Sequence, residues 1–481
     1  MDFDLIWEKW LEKEYKCYDL KNNRSVKRQY LHFDRKLWLP NEKVKLKFKN
    51  FFSNPDNIAK HSFFPLIKGK LIFPKYEYYK SNKKNLRRYK EPKIREICYA
   101  SHFDSSIYSW YSVILEEAYE EKLKAEKLIK NVIAYRSIDK KSNIHFAQEA
   151  FEYVEQKREC TAIAFDVKQF FDNISHVKLK ERWSNILGYP TLPRDHYNIF
   201  KSLTKYSFVS KEFLDENFSR GVNRDRVCTV DEFKNVIRKG KKICRNETDG
   251  KLNEKGIPQG SPISALLSNL FMINFDIELK KFSDDNDAFY RRYSDDILII
   301  CPTGDYRNFI SKVAEEVCKL DLELHEGKTD ITHFCVSFDN KLLAHKPVGK
   351  SNRMQYLGFE FDGNNTYVRS SSMSRYHSRL HANVRETLKR AYGKRSKGNV
   401  IFKRRVLRRY SDHGKRNFIT YVKRSAKIHE SKTVSRQIKN NVSFVKSLIN
   451  KKAQKKEDLM KRKDKVFTSF LGIDSFENTL D

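Results

Sequence analysis

The sequence contains no run of about 18 uncharged apolar residues, the length that a membrane-spanning helix needs. Its first residues, MDFDLIWEKW, carry early acids and do not follow a signal-peptide pattern. Its eight cysteines form no CxxC pair, which argues against a zinc site and favours reduced thiols. Internal repeats are also absent. These absences predict a cytoplasmic protein without a membrane span or a structural zinc ion.

Acidic residues are scarce relative to basic ones. The 481 residues include 96 Lys and Arg against 62 Asp and Glu, which gives a net charge of +34. Such an imbalance opposes compaction and attracts polyanions. Nucleic acid is the first candidate partner, and an anionic membrane is the second. Hydrophobic residues make up 39% of the chain, enough for a sizeable core in roughly two to four domains.

The N-terminal part is basic and rich in aromatic residues. DLIWEKWLEKEY has the spacing of a helix, whereas KVKLKFKNFF alternates like a strand with a cationic face. KSNKKNLRRYKEPKIRE is predicted to be a basic loop, and it leads into a segment that ends as a long helix near EEAYEEKL.

Further along, buried strands and helices alternate. CTAIAFDV is typical of a buried strand that ends on an acid, and HVKLKERWSNIL of a helix. Residues 205–255 are polar and irregular, which predicts an exposed loop or hairpin. AFYRRYSDDILIICP predicts two short strands around a tight turn, YRNFISKVAEEVCKLDLEL an amphipathic helix, and MQYLGFEFDG a short hairpin.

The C-terminal part is strongly basic. Residues 370–465 contain 30 Lys and Arg but only 6 Asp and Glu, with apolar residues at helical spacing between them. A charge run is often only a solvated helix face, but a sustained excess of one sign favours nucleic-acid contact.

Acids at the ends of predicted strands indicate a metal site. Asp166 ends one buried strand, and Asp295 and Asp296 lie in the turn before another. Strands can bring such carboxylates together across a sheet, where their oxygens would bind two Mg²⁺ ions for nucleotidyl transfer. The adjacent acids Asp284 and Asp285 are interpreted as ordinary loop residues.

GIPQGSPIS predicts a bend before an apolar helix. Gly256 and Gly260 permit backbone angles closed to other residues. Ser261 and Pro262 suit the N-cap and first position of a helix, and the bend places Gln259 where it could touch a nucleotide. The simpler interpretation is a capped helix alone.

Five segments in order resemble motifs A to E of reverse transcriptases: FDVKQFFDNISH, GIPQGSPISALLSNLF, YSDDILII, EGKTD and QYLGFEFDG. KIREICYASHFDSSIYSWYSVIL and VIAYRSIDKKSNIHFAQEAFEYV look like fingers motifs of the prokaryotic members. The resemblance covers residues 60–370. It implies an α+β right-hand polymerase with fingers, a ferredoxin-like antiparallel palm and a helical thumb, acting as an RNA-directed DNA polymerase with two Mg²⁺ ions.

The resemblance also assigns the chemical roles. The metal site would comprise Asp166, Val167, Asp295 and Asp296, with Asp166 and Asp295 as principal ligands. Lys328 in EGKTD matches the lysine proposed to protonate pyrophosphate; the alternative is a solvated lysine.

Substrate-binding roles follow from matching positions. Phe171 would be the steric gate against a ribose 2′-OH, unless it is a core aromatic beside Phe170. Gln259 would contact the nucleotide. Arg95 and Arg136 would hold the triphosphate, because Arg is always charged and forks onto phosphate; alternatively they are surface or ion-paired arginines. The primer grip corresponds to Tyr356, Leu357 and Gly358.

Missing features narrow the subgroup. The chain lacks the NAxxH and VTG of retron enzymes, a zinc-spaced nuclease or maturase-like extension, and an RNase H-like acid set. YASHFDSSIYSWYS, AYRSI and SNIHFA are similar to the bacterial defence-associated and abortive-infection reverse transcriptases. That resemblance implies antiphage defence with a dedicated, structured non-coding RNA as template, deoxynucleoside triphosphates as substrates, DNA as product and no membrane partner.

The predicted domains are a basic N-terminal extension (1–90), fingers (91–160), a palm with an insertion at 205–255 (161–350), a primer-grip hairpin (351–370) and a basic helical thumb with C-terminal extension (371–481). Three alternatives remain: a retron-like or group II intron-like enzyme, an RNA-dependent RNA polymerase, which Phe171 opposes, and an idle RNA-binding scaffold, which the acids oppose. The priming mode and the oligomeric state, a homo-oligomer included, stay open.

Overall fold

The computed structural model describes residues 2–20, 24–81, 84–218, 225–347, 351–393 and 400–470. It mixes helices with mainly antiparallel sheets, as an α+β protein does. No helix within these ranges is both long and apolar enough to cross a membrane. The chain divides into two compact units. Unit 1 comprises Met1–Arg136, Phe165–Ile299 and Arg307–Thr329, and unit 2 comprises Ser137–Ala164, Ile300–Tyr306 and Asp330–Asp481.

The α-helices are α1 Phe3–Tyr15, α2 Glu42–Phe52, α3 Pro55–Ala59, α4 His102–Ala125, α5 Asn143–Lys157, α6 His176–Ile186, α7 Arg194–Thr204, α8 Lys211–Asn217, α9 Val230–Glu232, α10 Ser264–Phe271, α11 Ile273–Asp285, α12 Tyr306–Cys318, α13 Ser370–Ala391, α14 Lys403–Tyr410, α15 Phe418–Ile428, α16 Lys432–Gln437 and α17 Asn441–Phe470. A π-helix, Phe233–Arg238, continues α9.

The strands are β1 Tyr18–Asp19, β2 Arg24–Ser25, β3 Leu66–Ser81, β4 Lys84–Tyr99, β5 Cys160–Asp166, β6 Ser207–Ser210, β7 Cys244–Arg245, β8 Glu247–Thr248, β9 Lys251–Leu252, β10 Phe289–Tyr293, β11 Asp296–Cys301, β12 Asp330–Val336, β13 Leu342–His345, β14 Met354–Tyr356, β15 Phe359–Phe361 and β16 Thr366–Val368.

The predicted strand KVKLKFKNFF is a helix, α2, in unit 1. The Asn41 side chain accepts from the N–H groups of Lys43 and Val44, which caps the helix start. Phe48 and Phe52, four residues apart, form its buried face. Lysine alternates with apolar residues over a few positions, as in a strand. Burial of Phe48 and Phe52, which are spaced i and i+4, favours the helix instead.

Most of the predicted basic loop, from Lys84 onward, is strand β4; residues 82 and 83 of that segment lie outside the described ranges. Strand β4 pairs with β3 in a long antiparallel hairpin. The first pair of opposite residues is Ile67 with Tyr99, and the last is Ser81 with Lys84. The register shifts between Phe73 and Lys75, at Pro74, which cannot donate to the ladder. Cationic residues alone were therefore a poor signal for a loop, because an exposed strand also tolerates them.

The predicted exposed insertion 205–255 is partly buried. Strand β6 runs parallel to β3, and Val209, Leu214 and Ile237 join a cluster with Phe33 and Ile67. Its later part, β7 to β9, is exposed as predicted. Residues 219–224 of this segment lie outside the described ranges.

The strand order β10–β11–β5 holds the acid-bearing segments, whose residues Asp166, Asp295 and Asp296 belong to unit 1, so the predicted buried strand and the predicted strand–turn–strand are confirmed. In unit 2 the order is β5–β12–β13, with antiparallel pairing of β12 to both neighbours. A second sheet of unit 2, β14–β15–β16, contains the predicted hairpin.

The C-terminal segment of unit 2 is helical, as predicted. Helices α13, α14, α15 and α17 share a buried core that includes Leu380, Val384, Val406 and Ile449. The basic residues between these apolar positions are left on the outside. The end of the predicted thumb, residues 471–481, lies outside the described ranges.

Candidate active site

Asp166 stands at the end of β5 in unit 1. Its main-chain carbonyl accepts from the N–H of His325 at 2.8 Å. The next residue, Val167, is 2% exposed and forms a bridge with Leu324. These contacts hold the backbone on both sides of the carboxylate. The carboxylate itself is about a quarter exposed, and its Oδ2 lies 2.5 Å from the Nζ of Lys328.

Asp295 lies in the turn between β10 and β11. Ser294, just before it, has a φ of 59°, a left-handed angle that tightens the turn. Asp296 opens β11 and is exposed, whereas the following residues Ile297 to Ile300 are buried. Because β11 neighbours β5 in the sheet, Asp166 and the Asp295–Asp296 pair come from adjacent strands.

The donor chemistry of these acids suits a divalent cation. Within the described part of the chain, no three His, Cys, Asp or Glu side chains already lie together as a metal site. Asp166 nevertheless attracts a cation, the Lys328 ammonium. Asp166, Asp295, Asp296 and the carbonyl of Val167 would hold a metal ion through hard oxygen ligands, and the ion would compete with Lys328. When bound, it would supply charge neutralisation for phosphate chemistry.

A buried ion pair supports the turn, and the sequence predictions missed it. Arg292 and Asp276 are both 0% exposed, and the guanidinium donates from Nε and Nη2 to the two carboxylate oxygens at 2.7 and 2.6 Å. Its Nη1 donates at 3.1 Å to Asn269 Oδ1 and to the carbonyl of Ser294. Arg292 thus holds the residue that precedes Asp295. The sequence signal was an arginine inside a buried strand, which requires a partner.

Phe171, the predicted steric gate, lies in a short 3₁₀ helix that follows β5. Phe170 is buried, and the half-buried Phe171 packs edge-on against it with ring centroids 5.5 Å apart. The carbonyl of Phe171 accepts from the N–H of Ile257 at 3.0 Å. Gly256 is required beside it, because its φ is 93° and a Cβ would lie 2.9 Å from the carbonyl oxygen of Asp172. The bend therefore packs directly on the segment that carries Phe171.

Gln259 links the same bend to strand β4. Its carbonyl accepts from the N–H of Cys98 at 2.8 Å. Gly260 has a φ of 112°, and a Cβ there would lie 2.5 Å from the carbonyl oxygen of Cys98. The predicted helix start is wrong: α10 begins at Ser264, and the buried Ser261 hydroxyl has no hydrogen-bond partner in the described residues.

Strand β4 carries two cationic residues, Arg95 and Lys93. Arg95 is exposed, with its guanidinium 5.8 Å from the ring centre of Phe73. Burial, followed by the charges of Arg95 and Lys328, lowers the pKa of Lys93, while Asp166 opposes that effect. Lys93, which the sequence predictions did not include, therefore shares an electrostatic environment with Arg95 and Lys328. Such a cluster suits a polyphosphate.

Arg136 requires a correction. Its side chain is 3% exposed, and Nε and Nη2 donate to the carboxylate of Glu120 at 2.6 Å. Its Nη1 donates to the carbonyls of Ile129 and Val132. A guanidinium with these partners does not reach a triphosphate, so the geometry supports the ion-paired alternative.

The interpretation of Asp284 and Asp285 as loop residues is also wrong. Both lie in the last turn of α11, where Asp284 pairs with Lys280 one turn earlier. An i, i+4 pair of this kind stabilises the last turn of α11, so the helix continues through the polar residues that were predicted to form a loop.

The predicted primer-grip residues form a tight turn in unit 2. Leu357 and Gly358 have φ values of 44° and 95°, the left-handed angles of a two-residue hairpin turn between β14 and β15. The carbonyl of Leu357 accepts from Asn143 Nδ2 at 3.1 Å, and the carbonyl of Gly358 from the N–H of Arg369 at 3.0 Å. Tyr356, before the turn, is 5% exposed.

A family model described as reverse transcriptase (RNA-dependent DNA polymerase) matches residues 105–361. No curated protein sequence matches the chain.

Among solved structures, apo telomerase from Candida tropicalis is 13% identical, with a TM-score of 0.36 over 88% of this chain and 67% of that one. Telomerase from Candida albicans in complex with a fragment of telomeric RNA is 12% identical, with a TM-score of 0.35 over 85% and 66%. A C-terminally truncated C. tropicalis telomerase is 11% identical, with a TM-score of 0.32 over 62% and 55%. The chain thus spans between about half and two thirds of the length of these proteins.

Proposed function

Because the chain belongs to the reverse transcriptase (RNA-dependent DNA polymerase) family, we propose that it synthesises DNA on an RNA template from deoxynucleoside triphosphates. Membership also confirms the expected α+β right-hand polymerase fold. The observation that carries the proposed activity is the placement of Asp166 and the Asp295–Asp296 turn on adjacent strands.

The proposed nucleotidyl transfer uses two Mg²⁺ ions, held by Asp166, Asp295, Asp296 and the Val167 carbonyl. In this proposal Lys328, which pairs with Asp166, would leave that carboxylate when the metal binds and would donate the proton to pyrophosphate; the ion pair supports its proximity to the acids.

The proposed nucleotide contacts come from four residues around this centre. Phe171 excludes a ribose 2′-OH, Gln259 contacts the nucleotide, and Arg95 with Lys93 receives the triphosphate.

The remaining proposed parts keep the predicted boundaries: an N-terminal extension at 1–90, fingers at 91–160, a palm at 161–350, a primer grip at Tyr356, Leu357 and Gly358 within 351–370, and a basic thumb at 371–481. The basic helices support RNA binding through phosphates. A cytoplasmic location is proposed from the sequence alone.

Primer extension on an RNA template tests the polymerase proposal. Wild-type protein should extend the primer with deoxynucleotides, stop when Mg²⁺ is chelated and resume when it is restored. Asp295→Asn should abolish extension while RNA binding survives. Extension by this variant at near wild-type rate, in a preparation free of host polymerase, would contradict the site. Preferential use of ribonucleotides would support an RNA polymerase instead.

For the biological role, we propose antiphage defence with a dedicated, structured non-coding RNA as template. The support is the resemblance of residues 60–370 to defence-associated enzymes. Plaque formation is measured on cells that carry the wild-type or the Asp295→Asn gene with its native flanking DNA. Protection by the wild type alone is expected; equal protection by both would favour the scaffold alternative.

A further inference from the structure

A short segment of unit 1, residues 131–135, runs along strand β10 and is fixed to it. The N–H of Ile133 donates to the carbonyl of Arg292 at 3.1 Å, and the N–H of Arg292 donates to the carbonyl of Asn131 at 2.8 Å. Strand β10 leads directly into the turn that carries Asp295. The segment is therefore joined to the strand that positions this turn.

Anchored residues flank Tyr135 on both sides. Asn269 Nδ2 donates to the carbonyl of Ala134 at 2.9 Å, and Ala134 is fully buried. On the other side, the guanidinium of Arg136 is occupied by the carboxylate of Glu120. Because both neighbours are held by such contacts, the fold itself sets the place of Tyr135.

Tyr135 is the exposed residue of this segment. Its φ of 63° is left-handed, and 51% of its surface is exposed, whereas Ala134 before it is buried. Its hydroxyl donates to Oγ of Ser294 at 3.1 Å, and its ring centre lies 6.4 Å from that of Tyr293. Tyr135 therefore lies beside the two residues that precede Asp295 and leaves much of its ring open to solvent.

Ser294 is held from two directions. Its carbonyl accepts from Arg292 Nη1 and its Oγ accepts from the Tyr135 hydroxyl, both at 3.1 Å. Ser294 is 3% exposed and has a left-handed φ, an angle that costs a residue with a side chain some backbone energy. Because Arg292 is fully buried, it is the Tyr135 hydrogen bond that joins the Asp295 turn to the protein surface.

The open ring of Tyr135 suits a nucleoside group. An aromatic face stacks on any base, because every base has a flat π-surface. The ring carries no charge and does not attract phosphate, an attraction that a protein of net charge +34 supplies elsewhere. A nucleoside that reacts at Asp295 must lie beside the turn, and the exposed ring of Tyr135 is placed there.

We propose that Tyr135 contacts the reacting nucleoside through its ring and holds the Asp295 turn in place through its hydroxyl. This inference rests on the polymerase function proposed above. The nucleoside belongs either to the end of the extended strand or to the incoming triphosphate, since both present a base to the ring. Tyr135 positions Asp295 through Ser294 and is not a metal ligand.

The hydroxyl is tested by a variant that keeps the ring. Tyr135→Phe should lower kcat for primer extension by about threefold to tenfold, the value of one hydrogen bond, with a change in KM of less than about twofold. Tyr189→Phe is the matched control, because Tyr189 is a similarly exposed tyrosine, at 54%. A wild-type kcat in Tyr135→Phe would overturn the positioning role.

The path through Ser294 is tested by a double-mutant cycle. Ser294→Ala removes the acceptor of the Tyr135 hydroxyl. If this hydrogen bond carries the effect, Tyr135→Phe should lower kcat in the wild-type background but not in the Ser294→Ala background. Thermal unfolding of all three variants detects any general loss of structure. Full additivity of the two losses in folded variants would overturn this path.

The ring is tested by binding to a primer that lacks its 3′-hydroxyl, so that no turnover occurs. Tyr135→Leu should weaken one binding step by about fivefold or more, the value of one stacked base, whereas Tyr189→Leu should weaken none. Weaker binding of the template–primer alone assigns the ring to the end of the extended strand. Weaker binding of the deoxynucleoside triphosphate alone assigns it to the incoming nucleotide. Unchanged binding of both would overturn the ring contact.

Failure of the proposed function is a separate outcome. A wild type that extends no primer would contradict the polymerase activity, while the binding comparison, which needs no turnover, would still decide whether the ring contacts a nucleoside. An active wild type whose Tyr135 variants match it in kcat and in binding would overturn only the role of Tyr135.

Discussion

Arg292 and Asp276 form a fully buried, bidentate ion pair whose guanidinium also holds the carbonyl of Ser294, one residue before Asp295. Burial alone would lower the pKa of Arg292, but Asp276 raises it above the ordinary value, so the charge persists. A buried pair is costly to break, because the remaining charge has no water. The turn that carries Asp295 is thus held by a buried ionic support.

Asp276→Asn is therefore expected to destabilise the fold by about 3–5 kcal/mol, because it leaves the Arg292 charge without a buried counter-charge. Denaturant unfolding measures this loss. Lys280→Gln on the same helix breaks the exposed pair with Asp284 and should cost about 0.5 kcal/mol or less. Similar losses in the two variants would contradict the supporting role of the buried pair.

The positions of the candidate-site acids in the fold were predictable, because their sequence signals are local. Asp166 ends an apolar strand and Asp295 lies in a turn between two strands, so each was placed by its own neighbours. The Arg292–Asp276 pair joins residues 16 apart, and only the buried context shows that they meet. The available signal in the sequence was that Asp276 and Arg292 each lie inside an apolar segment, where a charge needs a partner.

The wrong predictions came from judging charge without burial. KVKLKFKNFF alternates like a strand, yet the packing of Phe48 and Phe52 makes it helical. The basic segment of β4 was assigned to a loop, but its backbone pairs along β3. Arg136 has the residue type for phosphate binding, and only its contacts with Glu120 show that its donors are occupied. Tertiary contacts decided each case.

Lys328→Gln should lower kcat by at least about a hundredfold, the usual contribution of a general acid, with a smaller change in KM. Steady-state primer extension at varied nucleotide concentration measures both constants. The control is Lys168→Gln, which removes a nearby exposed lysine that pairs with Glu323 at 2.9 Å. A loss confined to KM, or an equal loss in the control, would indicate that Lys328 acts only as a surface charge.

Phe171→Ala should raise ribonucleotide use relative to deoxynucleotide use on the order of tenfold or more, because a clash with the 2′-OH is removed. The ratio of kcat/KM values for the two nucleotides is the measurement. Phe170→Leu is the matched control, since that ring is buried and should affect stability rather than sugar choice. An unchanged ratio in an active Phe171→Ala enzyme would leave the core-aromatic alternative in place.

The basic face of α14 should bind RNA through phosphates. Arg404, Arg405, Arg408 and Arg409 are exposed on this helix, while Val406 and Tyr410 are buried in the core of unit 2. Each phosphate contact releases counterions, so affinity should fall log-linearly with salt. Replacing the four arginines with glutamate should weaken binding at low salt and reduce the slope by about 3, if each arginine meets one phosphate.

Four arginine-to-lysine changes at the same positions provide the control for α14, because they keep the charge and remove only the forked geometry. The lysine variant should retain nearly the wild-type salt slope, and the glutamate variant should not. Far-UV circular dichroism and thermal unfolding of both variants check that the helices and the core of unit 2 remain intact. If RNA affinity of the wild type stayed flat between low and moderate salt, or if the glutamate variant kept the full slope, phosphate contact by this helix would be rejected.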